Sequence, residues 1–367
     1  MRIGINVLFI APGSMGGSET YIRNLIDGFQ EIDSDNEYII FTSQENDSTF
    51  IIPVKSNFHK VMLPCKSKGI KRILLEQFLL PYLIRKHKLD VVFYPGGISC
   101  IFSRIPAVLT IHDLHHLHYP SSFSWGQRLY RSIFLPRSVQ RVNKITTPSE
   151  FTATDVVKHL NVDMKKITVI YLSVKDKQFF ETNNHQDKEI YKKYDLSQPY
   201  VLSVASTYPH KNLDGLLSAC IILHRRGFKF NLVLVGTHMS FDSTLKKLID
   251  SSFIKDHVKV LGYVPDADLP ALYRGAIVYA FPSMFEGFGL PLLEAMMSGI
   301  PIVASNRGSL PEIGTDAAMF VEPDPKSISE GIESLLSNGA LRTEMRGRGF
   351  NRAKQFSVKK QQSKLLH

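Results

Sequence analysis

The sequence predicts an α/β protein in which two Rossmann-like domains, each with a doubly wound parallel sheet, face each other across a cleft. The chain has 367 residues, which is longer than one typical domain. Short β-branched runs alternate with helical stretches, and these runs are nearly continuous in apolar residues, as in parallel strands covered on both faces. A polar, charged stretch at residues 175–198 separates two sets of runs, which indicates two domains with a cleft between them.

The apolar runs predict two series of strands, one on each side of the polar stretch. The first series is expected at residues 3–10, 38–42, 91–94, 107–111, 144–147 and 167–171. The second series is expected at residues 200–204, 231–235, 258–261, 277–281, 301–304 and 319–321. We interpret residues 3–10 as a strand rather than a signal peptide, because a glycine-rich loop and an amphipathic helix from near Glu19 follow them.

These elements predict the domain boundaries. Residues 1–174 are expected to form the N-terminal domain, residues 175–198 a linker and residues 199–345 the C-terminal domain. The basic, helical pattern of residues 346–367 predicts a last helix that packs back towards the N-terminal domain.

The composition is that of a soluble globular enzyme, with 44% hydrophobic and 21% charged residues. The three cysteines are far apart and form no CxxC pair, which favours a reducing compartment and argues against a disulfide framework or a cysteine-rich zinc site. No apolar run reaches the roughly 18 residues that a membrane-spanning helix needs. We therefore expect a cytoplasmic protein.

The net charge is +10, and many of the basic residues cluster in one segment. That segment contains a single acid, Glu76, and the apolar residues around Phe78 and Tyr82. The basic residues of the cluster are Lys55, Lys60, Lys66, Lys68, Lys71, Arg72, Arg85, Lys86 and Lys88. The pattern is typical of a solvated basic face, and it also fits a patch that binds anionic lipid at the inner face of the cell membrane. Nucleic acid is not expected, because no nucleic-acid-binding motif accompanies the charge.

Residues 285–295 combine two glycines with two carboxylates at the start of a predicted helix. They follow the buried strand at 277–281, and Pro291 stands where a first-turn proline is favoured. A glycine loop at a helix N-terminus presents backbone N–H groups and a positive dipole end to a phosphate. Glu294, about one turn into the helix, would instead accept from sugar or ribose hydroxyl groups. Glu286 lies on the other side of the loop, with seven residues between the two carboxylates, so the segment predicts a nucleotide-sugar site.

Two positions in the first half are candidate ligand contacts. The loop that ends in Gly16 and Gly17 joins a strand to a helix and would let a ligand approach the backbone, although glycines also serve tight turns that bind nothing. His112 ends the strand at 107–111, where α/β folds place ligands. A histidine at that point can donate to a sugar hydroxyl group or stabilise charge.

A metal site is not expected from the histidines that follow His112, which are His115, His116 and His118. No further cysteine or carboxylate cluster completes a site at ligand spacing. Asp266 and Asp268 are spaced like a metal-binding pair, but we interpret them as the N-cap of a helix that starts at Leu269.

Lys211 lies at a strand-to-helix junction after the first strand of the second half. A solvated surface lysine is the ordinary interpretation of such a residue. A lysine at a strand end can also neutralise a pyrophosphate leaving group without a metal. We favour the second interpretation because the segment belongs to a larger pattern.

In order and over nearly the whole length, these motifs resemble those of the glycosyltransferases of family 4, a retaining group with the GT-B fold. Gly16 and Gly17 resemble the N-terminal glycine loop of that family, whose backbone contacts the donor. His112 matches the histidine that the family places close to the transferred sugar, and residues 147–151 resemble its late N-domain serine segment. The resemblance implies an acceptor-side N-terminal domain and a nucleotide-sugar-binding C-terminal domain of the group 1 type.

The same resemblance assigns roles in the second half. Lys211 matches the lysine that binds the pyrophosphate, and Glu286 and Glu294 match the family's glutamate pair. In the family, the counterpart of Glu294 holds the ribose diol and that of Glu286 lies beside the sugar. The backbone N–H groups expected on the phosphates and the sugar belong to Phe288, Gly289 and Leu290.

One departure from the family pattern concerns Ser206. The family often has a Gly-Arg pair before the lysine, and Ala205 and Ser206 stand in its place here. Ser206 can bind the donor through a hydrogen bond but carries no charge. Glu76, Gln77 and the basic apolar run around them resemble members of the family that build bacterial surface polysaccharides.

The resemblance implies retaining, metal-independent transfer of a mannosyl, glucosyl or similar hexosyl unit from a UDP- or GDP-sugar to a glycan or lipid-linked acceptor. No cofactor is expected, because the nucleotide sugar is a substrate. The base, the sugar and the acceptor stay open. The alternatives are a nucleotide-sugar epimerase on the same fold and a non-catalytic nucleotide-sugar-binding protein, against which the combination of Lys211, Glu286 and Glu294 argues.

Overall fold

The computed structural model of the chain describes residues 1–13, 16–52, 57–174, 177–180, 184–236, 243–356, 361 and 365. The chain divides into two compact units, the first comprising Met1–Ser173 with Val358–His367 and the second comprising Val174–Ser357. Each unit contains one parallel sheet whose strands alternate with helices. The predicted fold class of two Rossmann-like, doubly wound units is confirmed.

The first unit is built on a 7-stranded sheet. Its strands are β1 (Arg2–Asn6), β2 (Glu37–Ser43), β3 (Phe58–Leu63), β4 (Val91–Tyr94), β5 (Ala107–Thr110), β6 (Lys144–Thr147) and β7 (Ile167–Val169). Its helices are α1 (Gly17–Ile32), α2 (Ile70–Leu74), α3 (Leu80–Lys86), α4 (His115–His118), α5 (Trp125–Arg141) and α6 (Glu150–Leu160). The strand order is β3-β2-β1-β4-β5-β6-β7 with parallel neighbours. The order reverses between β1 and β4, so right-handed crossovers put helices on both faces of the sheet.

The second unit repeats this plan on a 6-stranded sheet. Its strands are β8 (Tyr200–Val204), β9 (Asn231–Val235), β10 (Val258–Gly262), β11 (Val278–Phe281), β12 (Ile302–Ser305) and β13 (Met319–Val321). Its helices are α7 (Lys177–Phe180), α8 (Asn184–Lys193), α9 (Leu213–Arg225), α10 (Ser243–Ser251), α11 (Leu269–Gly275), α12 (Leu290–Met297), α13 (Leu310–Gly314), α14 (Pro325–Ser337) and α15 (Gly339–Ala353). The order β10-β9-β8-β11-β12-β13 is again parallel and reverses between β8 and β11.

Each unit has its own hydrophobic core between sheet and helices. Leu109, Ile145 and Val156 are among the buried residues of the first core. Leu216 and Leu232 are among those of the second. No helix in the described part of the chain is long and apolar enough to cross a lipid bilayer.

Every predicted strand is present, but two details of the first unit differ from the prediction. The edge strand β3 was not predicted, because its central residues His59 and Lys60 are exposed and interrupt the apolar pattern. The first strand ends at Asn6 rather than at Ile10. Residues 7–10 turn instead, and the side-chain amide of Asn46 donates to the carbonyl groups of Val7 and Ile10 at 2.8 and 2.9 Å.

The stretch predicted as a linker carries α8, which packs within the second unit. Asp187 of α8 accepts two hydrogen bonds from the guanidinium group of Arg274 in α11, at 2.8 and 2.6 Å. Asp268 stands at the N-cap position of α11, but its carboxylate accepts from Lys193 at 2.6 Å and from Tyr194 at 2.7 Å instead of capping the helix. The predicted helix start and the N-cap position of Asp268 are therefore confirmed, but its side chain does not cap the helix and instead links the end of α8 to α11.

The C-terminal helix begins earlier than predicted. It spans Gly339–Ala353, within the second unit, and Arg352 donates to the carbonyl of Ile313 at 2.8 Å. Further along, the side chain of Gln361 accepts a hydrogen bond from Ser173, and both residues belong to the first unit. Residues 357–360, 362–364 and 366–367 of the predicted helix lie outside the described residues.

Candidate active site

The predicted residues of the second unit collect where its strand order reverses. Val201 of β8 is paired with Val278 of β11, Lys211 follows β8 and Glu286 follows β11. The carboxyl ends of adjacent parallel strands open on the same edge of a sheet, where α/β proteins bind their ligands. The fold thereby joins two segments that are 75 residues apart in sequence.

Lys211 and Glu286 form an ion pair at this edge. The Lys211 ammonium donates to Oε1 of Glu286 at 2.6 Å, and the two side chains are only 17% and 11% exposed. A pair that is partly shielded from solvent is screened less by salt than a surface pair. The ammonium also lies 5.8 Å from the ring centroid of Phe281, within the range of a cation–π contact. A positive and a negative charge are thus held side by side at the strand ends.

A short 3₁₀ turn at Pro209–Lys211 positions the lysine. Asn212 follows it with a left-handed backbone, and its side-chain amide donates to the carbonyl groups of Pro282 at 3.2 Å and Pro323 at 2.8 Å. These bonds join the turn after β8 to the loops after β11 and β13. Lys211 therefore projects from a turn that the hydrogen bonds of Asn212 hold in place.

The backbone of Glu286 is held by a loop that the sequence analysis missed. The N–H and the hydroxyl group of Ser309 both donate to the carbonyl of Glu286, each at 3.1 Å. Gly308 has a φ of 61°, and a Cβ there would lie 2.7 Å from the Glu286 carbonyl oxygen and 2.8 Å from its nitrogen. Only glycine combines this backbone with so close an approach. The sequence feature that could have indicated this loop is Gly308, which follows the predicted strand at 301–304.

The loop after Glu286 enters α12 through Gly289, whose φ is 91°. A Cβ at Gly289 would lie 2.7 Å from a methyl group of Leu310, so the position favours glycine for its space as well as its backbone. The side chains of Phe288 and Leu290 are buried. We therefore expect a ligand to meet the backbone of these residues rather than their side chains, at the positive end of the α12 dipole.

Glu294 is anchored by a buried tyrosine. The hydroxyl group of Tyr273 donates to Oε2 of Glu294 at 2.9 Å. Burial, and next the Glu294 charge, raise the pKa of Tyr273 well above its usual value, so the hydroxyl stays protonated as a donor. The same two causes raise the pKa of Tyr279. Both tyrosines escaped the sequence analysis, because each looks like an ordinary core residue.

Ser206 lies two residues beyond the end of β8, just before the turn that carries Lys211. The N–H of Ala205 donates to the carbonyl of Val235 at 2.8 Å, which extends the ladder between β8 and β9 by one residue. Ser206 is half-buried. The structure places a hydroxyl-bearing residue, rather than an arginine, at this point of the edge.

His112 lies in the first unit, at the carboxyl end of β5. Its Nε2 lies 3.0 Å from the carbonyl oxygen of Pro95, and a carbonyl oxygen only accepts, so Nε2 carries the proton. Burial lowers the pKa of His112, which keeps the ring neutral near pH 7. The ring of Tyr21 packs edge-on against it at 5.0 Å between centroids. The Nε2–H group is occupied by this hydrogen bond, so the nitrogen that remains for a ligand is Nδ1. Nδ1 can only accept a hydrogen bond, whereas a donor was predicted from the sequence.

The glycine loop of the first unit is anchored by Glu19. Gly16 directly precedes α1 and Gly17 begins it. The Glu19 carboxylate accepts from the N–H of Gly13 at 2.9 Å and pairs with Arg23 at 2.8 Å. Ser14 and Met15, in the middle of the predicted loop, lie outside the described residues. Gly16, Gly17 and His112 belong to the first unit and the other predicted site residues to the second.

The histidines after His112 have separate surroundings. Burial, and next the charge of Arg131, lower the pKa of His116 to about 4, so that side chain is neutral near pH 7. His118 instead meets a carboxylate that lies 37 residues away in sequence, with its Nε2 at 2.9 and 3.0 Å from the two oxygens of Asp155. A metal site was not expected from the sequence, because no carboxylate cluster lies at ligand spacing from these histidines. The fold supplies a carboxylate, that of Asp155.

Comparison with known proteins gives a consistent assignment over most of the chain. The family model described as Glycosyltransferase Family 4 matches residues 15–178, and the one described as Glycosyl transferases group 1 matches residues 184–352. O-antigen chain mannosyltransferase B of Escherichia coli is 34% identical over 68% of this chain. O-antigen chain mannosyltransferase RfbU of Salmonella typhimurium is 30% identical over 62% of it. The matched regions span 66% and 60% of those two relatives.

Solved structures agree on the fold. WaaG, a glycosyltransferase involved in lipopolysaccharide biosynthesis, has a TM-score of 0.73 and 17% identity, covering 99% of this chain and 98% of that protein. The Anabaena protein Alr3699/HepE, solved in complex with UDP-glucose, has a TM-score of 0.76 and 16% identity, covering 100% of this chain and 98% of that protein. At such identities the likeness establishes the architecture alone.

Proposed function

Because this chain belongs to the glycosyltransferases of family 4 and group 1, with the GT-B fold, we propose that it transfers a mannosyl unit from a nucleotide-activated mannose to a hydroxyl group of a glycan or lipid-linked acceptor. The two relatives named as O-antigen chain mannosyltransferases support mannose and a role in surface polysaccharide synthesis. The observation that carries the proposal is the Lys211–Glu286 pair, at 2.6 Å, beside the start of α12.

The reaction requires stabilisation of a departing nucleoside diphosphate. The bond between the sugar C1 and the phosphate oxygen breaks, and the negative charge passes to the diphosphate. Lys211 and the backbone N–H groups of residues 288–290 at the α12 N-terminus supply positive charge at that point. The proposal therefore uses no metal ion at the leaving group. Ser206 would add a hydrogen bond where the family often has an arginine.

The sugar carries positive charge as the bond breaks. Glu286 would then face that charge, because Lys211 turns from its carboxylate to the diphosphate. The acceptor oxygen forms the new bond to C1 on the face that the diphosphate leaves, and its proton passes to a phosphate oxygen, so the configuration is retained. His112 would orient the sugar by accepting a hydroxyl hydrogen bond at Nδ1.

A screen of nucleotide sugars by thermal unfolding tests the proposed donor. A ligand that binds only the folded protein, at about 100 times its dissociation constant, adds about 2.7 kcal/mol to the free energy of unfolding. We expect GDP-mannose to raise the melting temperature more than UDP-glucose, UDP-galactose or ADP-glucose do. Failure of every nucleotide sugar to raise it would contradict the proposal. Product analysis without an acceptor identifies an epimerase, which alone converts the sugar while it stays on the nucleotide.

The proposed acceptor and location rest on the surface of the first unit. Four apolar residues of α2, α3 and the π-helical turn between them (Leu75–Leu79) are spaced four apart and are 50% to 75% exposed. They are Ile70, Leu74, Phe78 and Tyr82, which we name the first stripe. Glu76, the one acid of the segment, is buried and pairs with Arg72 at 2.6 Å. The exposed face is therefore apolar and basic. Lys55, also part of the predicted patch, lies outside the described residues.

A second stripe, which the sequence analysis missed, lies on α5. Trp125, Leu129 and Ile133 are again four apart and are 38% to 75% exposed. No acidic residue occurs between Asp113 and Glu150 in the sequence. The guanidinium group of Arg72 lies 5.7 Å from the ring centroid of Tyr130, so α2 and α5 are neighbours. Two exposed apolar helix faces with basic residues around them support binding to an anionic bilayer, as a peripheral protein with a lipid-linked acceptor.

Liposome sedimentation tests the membrane proposal. We expect the protein to bind vesicles that contain phosphatidylglycerol at low salt, to be released by high salt and to ignore vesicles of phosphatidylcholine alone. The double variants Phe78→Ser/Tyr82→Ser and Trp125→Ser/Leu129→Ser should each weaken binding by about tenfold, because each removes apolar area that would enter the interface. The control is Phe253→Ser/Tyr263→Ser, which alters two exposed aromatic residues of the second unit. Equal loss in the control, or no binding by the wild type, would refute the proposal.

A further inference from the structure

Three side chains of the first unit, contributed by two helices, place possible metal ligands in one small volume. They are His118 of α4 and Asp155 and His159 of α6. One ligand atom from each side chain lies within 4.8 Å of the other two. Nε2 of His118 is 2.9 Å from Oδ2 of Asp155, and Nδ1 of His159 is 3.0 Å from Oδ1. We propose that this cluster binds a zinc ion.

The donor set suits zinc. Two imidazole nitrogens and one carboxylate oxygen are ordinary zinc ligands, with bond lengths of about 2.0–2.2 Å. Zinc in tetrahedral geometry separates its ligand atoms by roughly 3.3–3.5 Å, a spacing that follows from those bond lengths. The two histidine–aspartate distances of 2.9 and 3.0 Å are therefore a few tenths of an ångström short of it. Small rotations of the three side chains would lengthen both histidine–aspartate distances to the tetrahedral spacing and bring the ligand nitrogens of the two imidazoles closer to each other.

The positions of the ligands on the helices favour chelation. Asp155 and His159 are four residues apart on α6, so they project from the same face. His118 comes from the end of a separate short helix. Asp155 is nearly buried, whereas the histidine side chains are 32% and 30% exposed. An ion can thus enter from solvent, and water can supply a fourth ligand.

Binding would replace hydrogen bonds that already exist in the cluster. The ring of His118 donates to the Asp155 carboxylate, and Nδ1–H of His159 donates to the backbone carbonyl of Asp155 at 3.0 Å. Zinc takes the place of those two protons, and each neutral imidazole then carries its proton on the other ring nitrogen. The ion also offsets the charge of the Asp155 carboxylate. A hydrogen-bonded triad without an ion is the competing explanation.

A zinc ion here would brace the region around His112. The helix α4 begins three residues after His112, and Thr152 of α6 donates to the His112 carbonyl at 3.4 Å. Joining α4 to α6 through the ion would link the two segments next to that histidine. The ion would act on the stability of the first unit and would not touch the leaving group. The inference does not depend on the proposed function.

Metal titration of the untagged, full-length protein tests the site. After removal of metal with a chelator, zinc is added in competition with a chromophoric chelator, and cobalt is added to record its visible absorption. We expect one tight equivalent and a cobalt spectrum with the intensity of a four-coordinate site. His118→Gln, His159→Gln and Asp155→Asn each remove or weaken a direct ligand, so each should weaken zinc binding by at least the roughly tenfold to hundredfold that loss of an outer-shell partner costs. Asp155→Asn is informative, because the amide still accepts hydrogen bonds while losing the charge.

The matched control is His59→Gln, which removes an exposed histidine of β3 in the same unit. It should bind zinc as the wild type does. Zinc should raise the melting temperature of the wild type and the control by the same amount, and that of the three cluster variants by less at the same zinc concentration. Wild-type affinity in the three cluster variants would show that the cluster is a hydrogen-bonded triad only. Should Asp155→Asn fail to fold, the exposed His159 variant decides the question.

Discussion

Replacing Lys211 with alanine is expected to lower the rate of sugar release from the donor by about 10²–10³-fold, because in the proposed mechanism the leaving diphosphate loses the positive charge that Lys211 supplies. The dissociation constant for the nucleoside diphosphate product should rise in the same variant. Both effects are measured on one preparation, by hydrolysis or transfer of the nucleotide sugar and by calorimetry. Circular dichroism and the melting temperature establish that the variant is folded.

Glu286→Gln is a second test of the same ion pair, because it should change the affinity for the nucleoside diphosphate in the opposite direction to Lys211→Ala. The Glu286 carboxylate binds the Lys211 ammonium at 2.6 Å, so under the proposed function it would compete with the diphosphate for that ammonium. The neutral amide releases that ammonium, so the nucleoside diphosphate should bind as well as or better than it does to the wild type. Turnover should still fall, because the developing charge on the sugar loses its partner. The two variants of one ion pair would then share a loss of rate and differ in affinity.

Lys193→Ala is the matched control for this pair. Lys193 forms an ion pair with Asp268, also at 2.6 Å and also within the second unit, but its side chain is far more exposed. Its loss should leave rate and affinity unchanged, since an ion pair with so exposed a lysine contributes little to stability. The assignment fails if Lys211→Ala retains full activity. It also fails if Glu286→Gln weakens product binding as much as Lys211→Ala does, because the pair would then be purely structural.

Replacing Glu294 is expected to remove recognition of the ribose. A carboxylate that accepts two hydroxyl groups makes charge-assisted bonds of about 1.5–3 kcal/mol each. Glu294→Ala should therefore weaken nucleoside diphosphate binding by about 10²-fold or more, and leave inorganic pyrophosphate binding nearly unchanged. A 2′-deoxynucleoside diphosphate gives the sharper measurement. The wild type should bind it more weakly than the ribose form, and the variant should no longer distinguish the two.

Tyr273→Phe separates ribose binding from structural support. It removes the hydroxyl group that holds Glu294 at 2.9 Å but keeps the carboxylate. We expect partial loss of affinity with the preference for ribose retained. Glu294→Ala also leaves the buried Tyr273 hydroxyl without this acceptor, at a cost of about 1–3 kcal/mol in stability, which the melting temperature reports. Continued discrimination against the 2′-deoxy ligand by Glu294→Ala would overturn the ribose assignment.

The strands were predictable because most of them are buried on both faces. The bounds of β4, β6, β8, β9 and β13 match those expected from their apolar runs. The edge strand β3 was missed for the opposite reason, since solvent reaches His59 and Lys60 and their polarity hides the strand. Its pairing with β2 is a tertiary contact between residues such as Tyr38 and Phe58, and no local pattern encodes it.

In the first unit, burial changes the role that the sequence suggests for Glu76. In the sequence, Glu76 is the acid that interrupts a basic surface. In the structure it is buried, it pairs with Arg72 and it accepts a hydrogen bond from the side chain of Asn6, 70 residues away. Burial raises the pKa of its carboxyl group, against the charge of Arg72. The surface is therefore more uniformly basic and apolar than the sequence indicates.

The sequence by itself determined the alternation of strands and helices and the local part of the site, in which Glu286, Gly289 and Glu294 follow one another through a turn into a helix. The number of residues between these three positions is fixed by the sequence, so their arrangement can be predicted without knowing the fold. Only the tertiary structure decided which distant groups meet them. Strand order places Lys211 against Glu286, and packing of α11 places Tyr273 on Glu294. These contacts depend on how strands pair and helices pack. The pattern of apolar residues predicts which side chains are buried, but it does not predict which elements they pack against.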